Sequence, residues 1–383
     1  MDDERGRTPW LPRALVIAAS LALACVWLIP GSAANENRAV TAFPDLSRTG
    51  LATGRDFRDI DDALVDRLRV KGVVVSAIGD TLIDAGLSPT SRVFRGPSGE
   101  PFFSGELMGA CLHRARMPGI DAYSRAVVSY FDYYGIDFLW AIAPDKSSVV
   151  REEIGPRADL LMACSDANRA QLEAAAAGPD SPLLVAWDEL IAEPERVYFY
   201  GDLHWNPHGG AVFAELLLDR LGEEGIARPG VFDPSAIERT KLYNPVGGLF
   251  FFMGSDRPEP TTLLATRRDG VTTTYSVEAA PNGQLTERWQ STGPGLIPGR
   301  TLVLHDSFWF YNKDVIAPYF ADVTAVHLLS IGDPGALALI DGYDLVIVQQ
   351  VQHAVPDYVD VIATSGGPWI TAGRPHEEEA PVP

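Results

Sequence analysis

A series of short apolar runs, alternating with segments of helical periodicity, constrains this chain more than any other feature. Ile136 to Ala143, Leu183-Leu184-Val185, Thr301 to Leu304, Val323 to Leu329 and Leu345 to Val348 are rich in apolar residues at consecutive positions. A strand with one wet face shows polar residues at every second position; one buried on both faces does not, so these runs indicate a parallel sheet covered by helices. The helices are legible between them. From Asp121 to Tyr134, the residues Tyr123, Val127, Tyr130, Phe131 and Tyr134 recur at helical spacing and stop at Gly135. A second helix reads from Ala167 to Ala177. A third begins after Asn206-Pro207, buries Val212, Phe213, Leu216 and Leu217, and is expected to end before Gly222.

Elsewhere the rhythm changes. A short helix is read from Ile60 to Leu68, and the β-branched run Val73 to Ile78 reads as a strand. Gly96 to Pro101 is a turn. The stretch from about Phe232 to Gly299 lacks helical periodicity, and Asp269-Gly270 between Leu263-Leu264 and Val271 to Thr274 is a hairpin signal. It is read as a β-rich insertion packed beside the sheet. The expected organisation is an N-terminal export segment (1–34), one α/β domain (35–370) carrying that insertion at 232–299, and an acidic, proline-bearing tail (371–383) expected to be disordered.

The export reading rests on Arg5, Arg7 and Arg13 ahead of the apolar run Ala14 to Ile29, followed by the small residues Ser32-Ala33-Ala34. The run is shorter than the ~20 residues that span a bilayer comfortably, so a cleaved signal and a retained anchor are both open. Either places the rest of the chain outside the cytoplasm. Cys25 falls inside that segment. The two remaining cysteines, Cys111 and Cys164, are expected to pair, as exported chains usually pair theirs. A formal net charge of −20 argues against nucleic acid as a partner, because phosphates would be repelled.

Two motifs carry the chemistry. Gly201-Asp202-Leu203-His204-Trp205-Asn206 supplies a carboxylate and an imidazole; Asp306-Ser307-Phe308, after the apolar run, supplies a hydroxyl. A serine hydroxyl is a poor nucleophile until a base takes its proton, and the base needs a third group to fix its tautomer. Asp202 and His204 are two apart, so in an extended segment both side chains would point the same way. A strand-to-helix turn would lift Ser307 above the sheet edge. His204 and His208 are four apart, which also admits a metallophosphoesterase reading. Pro207 separates them, however, and the further Asn-His ligand blocks of that class are missing. Neither a metal nor a cofactor is therefore expected.

These motifs resemble the SGNH-hydrolase-like O-acetyltransferases of the AlgX/AlgJ family, which act on exported polysaccharides. The resemblance runs from Glu36-Asn37-Arg38 to Asp344-Leu345-Val346-Ile347. It is carried by Asp202-Leu203-His204-Trp205-Asn206 with Gly209, by Asp306-Ser307-Phe308, and by Pro144-Asp145-Lys146 after a strand. It implies a flavodoxin-like α/β/α sandwich with Ser307 as nucleophile, His204 as base and Asp202 as the orienting carboxylate. It further implies a glycan acceptor; because an exported enzyme lacks cytoplasmic acetyl-CoA, a membrane O-acyltransferase is the expected source of the acetyl group. Lys146, Trp205, Asn206, Trp309 and Tyr311 are candidates for oxyanion or substrate contacts, with Asn206 equally suited to capping a helix. His305 stands where the family often has glycine. A carbohydrate esterase with the same triad, or a catalytically idle glycan-binding relative lined by Trp205, Trp309, Phe310 and Tyr311, are the alternatives.

Overall fold

The structure is a computed structural model; it describes residues 60, 69–112, 119–178, 180–243, 247–259, 262–267, 270–279, 285–328 and 342–356. The export segment, the expected helix beyond Ile60 and the acidic tail lie outside the described residues. The chain divides into two compact units, Met1–Pro89 and Thr90–Pro383. In the first, helix α1 (Arg69–Asp84) occupies the stretch in which Val73 to Ile78 was read as a strand. Val70, Val74, Ile78 and Leu82 recur every four residues. That period extends over the whole segment and outweighs a short β-branched run, whose penalty in a helix is about 0.5 kcal/mol per residue. No described helix is long and apolar enough to cross a membrane.

The second unit opens with a hairpin of β1 (Val93–Arg95) and β2 (Pro101–Phe103), turned by the Gly96 to Glu100 segment. Helices α2 (Ser104–Leu112) and α3 (Ile120–Tyr133) precede β3 (Asp137–Ala143). Then come α4 (Ala163–Ala176), β4 (Leu183–Val185) and α5 (Pro207–Glu223). The remaining elements are β5 (Ile237–Tyr243), α6 (Gly248–Phe252), β6 (Thr262–Arg267), β7 (Thr272–Ala279), β8 (Leu285–Thr292), β9 (Ile297–His305), β10 (Phe320–His327) and β11 (Leu345–Val351).

Seven strands form the main sheet in the order β4-β3-β11-β9-β10-β8-β7. The first five are mutually parallel. The apolar runs are explained by what covers them. On β3, Leu139, Ala141 and Ala143 face one core with Val303, Ile347 and the α5 residues Phe213, Leu217 and Leu221. Phe138, Trp140 and Ile142 face the other, with Leu302, Leu304, Val346 and Val348, against Phe131 of α3 and Leu172 of α4. Burying each such side chain contributes about 1.5–3 kcal/mol.

Three expectations are corrected. The insertion does not simply lie beside the sheet: β8 pairs antiparallel with β10, and β7 with β8, so its second half extends the sheet edge and makes it mixed. Within the insertion, β5 and β6 pair apart from it. Gly270 therefore does not turn a hairpin between β6 and β7, which belong to different sheets; Asp269 lies outside the described residues. Helix α5 also runs through Gly222 to Glu223, because Leu218 and Leu221 of its last turn are buried. The chain leaves at Gly225, whose φ of +78° suits glycine, and the Ile226 and Ala227 N–H groups close on Leu221 O.

Cys111 and Cys164 are joined, with a Cα–Cα distance of 5.1 Å and a sequence separation of 53, tying α2 to the start of α4. The chain-entropy model assigns such a loop up to about 4 kcal/mol. A double Cys111→Ser, Cys164→Ser variant is expected to melt roughly 5–10 °C lower in thermal unfolding. An unchanged midpoint would contradict this.

Candidate active site

Parallel strands present their C-terminal ends along one edge, and α/β proteins bind ligands where neighbouring strands lead their connections to opposite sides. Here β3 continues outward to β4 and β9 continues the other way to β10, with β11 between them. Ser307 follows β9. Asp202 and His204 are brought in by the segment before α5. That segment is not an extended strand: Tyr198 bridges Trp205, Asn206 N–H donates to Val197 O at 2.9 Å, and residues 199–204 make a tight loop.

Inside the loop Asp202 folds back on its own chain. Oδ1 accepts the His204 backbone N–H at 3.0 Å and meets ring Nδ1 at 2.6 Å; Oδ2 accepts Gly248 N–H, at the start of α6, at 2.7 Å. A Cβ at position 248 would lie 2.9 Å from Oδ2, so a side chain there would push this donor away. Burial alone would raise the Asp202 pKa. The adjacent imidazole and the two N–H donors outweigh it and hold the carboxyl down at about 2. The other ring nitrogen, His204 Nε2, is 2.7 Å from Ser307 Oγ. Hydroxyl, imidazole and carboxylate thus form one continuous hydrogen-bonded line.

Ser307 opens a five-residue 3₁₀ turn, Ser307–Tyr311, where an α-helix was expected. Asp306 caps the turn: Oδ1 accepts Phe308 N–H at 2.9 Å and Oδ2 accepts Val351 N–H at 2.6 Å, fastening β9's exit to the end of β11. The Ser307 N–H, first in its turn, makes no hydrogen bond among the described residues. His305 is buried and donates Nδ1–H to Asp306 O at 2.8 Å. Burial pushes its pKa down to about 3, so it is a neutral structural group.

Of the accessory candidates, most are committed to the scaffold. Lys146 is fully buried. Its Nζ pairs with Glu100 at 3.0 Å and donates to Pro101 O, Tyr200 O and Asp202 O, so it holds the base of the Asp202 loop and does not face an oxyanion. Burial lowers its pKa, opposed by Glu100. Trp205 Nε1 donates to Phe308 O at 3.1 Å, locking one motif to the other. Asn206 caps α5, accepting the His208 and Gly209 N–H groups. Trp309 is buried edge-on to Trp289. Tyr311 is different: half-buried, its ring lies 4.9 Å from that of His204. Phe310 is 49% exposed. His208 is held by Glu193 at 2.9 Å and does not join His204; among the described residues no His/Cys/Asp/Glu group is arranged to hold a metal ion.

The Gly248 contact and the pairing of Asp145 with His353 were not foreseen from the sequence, although Asp145 stands in the quoted Pro144-Asp145-Lys146. The first left no local signal, since it acts from a different element. The second could have been found by noting that Gln352-His353 follows an apolar strand just as Asp306-Ser307 does.

Residues 102–288 match the family described as SGNH hydrolase-like domain, acetyltransferase AlgX; the match includes Asp202 and His204 and ends before Ser307. No curated protein matches the chain. Among solved structures, Bacillus cereus PatB1 is similar at TM-score 0.51 and 13% identity, over 69% of this chain and 96% of that one. PatB1 with a sulfonyl adduct gives 0.52 and 14%, over 63% and 89%. The O-acetyltransferase domain of Pseudomonas putida AlgJ gives 0.49 and 17%, over 71% and 99%. The likeness to PatB1 shows the same fold. Through residues 102–288, this chain is similar to the SGNH hydrolase-like domain of the acetyltransferase AlgX.

Proposed function

We propose that this protein is an O-acetyltransferase that modifies an extracytoplasmic polysaccharide or other cell-envelope glycan through an acetyl ester of Ser307. The observation that carries the reading is the line from Asp202 through His204 to Ser307, with contacts of 2.6 and 2.7 Å. As Oγ attacks the donor's acetyl carbon, His204 Nε2 takes its proton and the carbonyl electron pair moves onto oxygen. Collapse expels the donor's alkoxide, which takes that proton from His204. An acceptor hydroxyl then gives its proton to Nε2 and attacks the acetyl-serine, and Ser307 leaves and is reprotonated. Asp202 stays ionised throughout. The Ser307 N–H, unpaired at the start of its turn, is a first donor to the oxyanion.

The family supports acetyl transfer, and its AlgX relatives suggest a glycan acceptor. The N-terminal apolar run and the Cys111–Cys164 bridge support a place outside the cytoplasm, where acetyl-CoA is absent. A membrane acyltransferase is the corresponding donor partner. Exposed Phe310 and half-buried Tyr311 offer aromatic faces on which a sugar ring can stack.

Transfer and hydrolysis share the acetyl-serine and differ in what collects it. Incubation with an acetyl donor and a panel of oligosaccharides, read by mass spectrometry, is expected to accumulate acetylated sugar faster than free acetate. Free acetate alone, whatever glycan is offered, would make the protein an esterase.

A further inference from the structure

The sheet edge that carries Ser307 carries a second aspartate–histidine pair. In the order β3-β11-β9, β3 delivers Asp145, β11 delivers His353 and β9 delivers Ser307. The register pairs Gln349 of β11 with His305 of β9, and Val351 N–H is tied to Asp306 Oδ2. His353 therefore emerges one strand away from the nucleophile. Its Nδ1 is hydrogen-bonded to Oδ1 of Asp145, a side chain that is 1% exposed. Gln352 braces the pair by accepting Asp145 N–H at 3.2 Å and Ser148 Oγ–H at 2.9 Å. The His353 ring lies 5.7 Å from that of Phe103, and its side chain keeps 19% exposure. Its Nε2 makes no hydrogen bond among the described residues.

The charged groups around this ring come from three elements: Asp145 beyond β3, Glu106 of α2 and Asp306 beyond β9. Burial disfavours the imidazolium, but these carboxylates outweigh it and raise the His353 pKa to about 9. Glu106, buried and facing Asp145, is itself pushed up to about 7. At neutral pH both ring nitrogens of His353 carry hydrogen, so Nε2 is a donor. A tetrahedral oxyanion is best held by at least two such donors. Ser307 N–H is one. Lys146, His305, Trp205 and Trp309 are buried in the scaffold, whereas the His353 side chain keeps 19% exposure at this edge.

We propose that His353 is the second oxyanion donor of the acyl-transfer site, and that Asp145 is a positioning residue that fixes its tautomer and charge. The proposal rests on the reading of Ser307 as nucleophile. As the Ser307 Oγ–carbon bond forms, the carbonyl oxygen takes the electron pair and accepts Nε2–H together with Ser307 N–H; on collapse the pair returns and the leaving oxygen departs with the proton from His204. No proton leaves His353. Above its pKa the neutral ring keeps Nδ1–H toward Asp145, Nε2 becomes a bare acceptor, and the donor is lost.

The test is steady-state turnover of p-nitrophenyl acetate across pH 6–10, with the enzyme-free rate subtracted. His353→Leu is expected to lower kcat by about 10²-fold with little change in KM. In the wild type kcat should fall on an alkaline limb near the His353 pKa, and in Asp145→Asn that limb should move toward neutral pH, because the carboxylate holding the ring charged is gone. A purely structural role would leave the limb in place. Wild-type kcat in His353→Leu, or an unmoved limb in Asp145→Asn, overturns the proposal. Where His353→Leu does not fold, the limb of Asp145→Asn decides. Ser307→Ala is run in parallel: activity surviving there would sink the acyl-serine reading itself, while its loss beside a fully active His353→Leu would reject only the second donor.

Discussion

Replacing Ser307 with alanine is expected to remove turnover, by on the order of 10⁴-fold or more in kcat, while leaving the fold intact. Both halves of that expectation follow from the contacts. Among the described residues the Ser307 hydroxyl hydrogen-bonds to His204 Nε2 alone, so its loss deletes the acyl acceptor and nothing else there. The turn it opens is capped by Asp306, and the two motifs are locked by Trp205 to Phe308 O; neither depends on the hydroxyl. Thermal unfolding of the variant should therefore match the wild type. Wild-type-like hydrolysis of an aryl acetate would reject Ser307 as nucleophile.

Asp202→Asn is expected to lower kcat by about 10⁴-fold, through the tautomer of His204. Oδ1 faces two donors, the His204 N–H and Nδ1–H, and Oδ2 faces Gly248 N–H at 2.7 Å. An asparagine must turn its NH₂ toward one side. Turned to Gly248, it sets two donors against each other. Turned to His204, it demands that Nδ1 be an acceptor, which puts the proton on Nε2 and leaves Ser307 without a base. The same carboxylate has a stability signature. Its pKa is about 2 in the fold against 3.8 in its absence. A depressed acid pKa contributes stability that is present above about pH 4 and lost as pH falls through about 2, on the order of 2 kcal/mol in total. Acid unfolding of the wild type should show this loss, and Asp202→Asn should lack it. Equal pH slopes in the two proteins would refute the charge assignment.

The sequence by itself determined the elements whose cause is local. Strands β3, β9 and β11 announce themselves as apolar runs because burial on both faces forbids polar residues in their centres. Asn206-Pro207 marks the start of α5 because a capping oxygen and a missing N–H act within one turn. Asp202 reaches His204 because they are two residues apart, although the contact is made by a loop folding onto its own backbone and not by an extended strand. Where the deciding partner is remote in sequence, the residues alone were silent or misleading. Val73 to Ile78 obeys the period of a segment longer than the run itself. Asp269-Gly270 has the composition of a hairpin, but which strands pair is settled across the whole sheet, and β7 and β8 found β10's free edge. Only the tertiary structure sets His204 against Ser307, 103 residues on, or brings Gly248 to Asp202, Lys146 beneath its loop, and Asp145 to His353 across 208 residues. Those contacts are fixed by sheet order and register, which depend on the summed burial of two cores and leave no trace within any one short window of the chain.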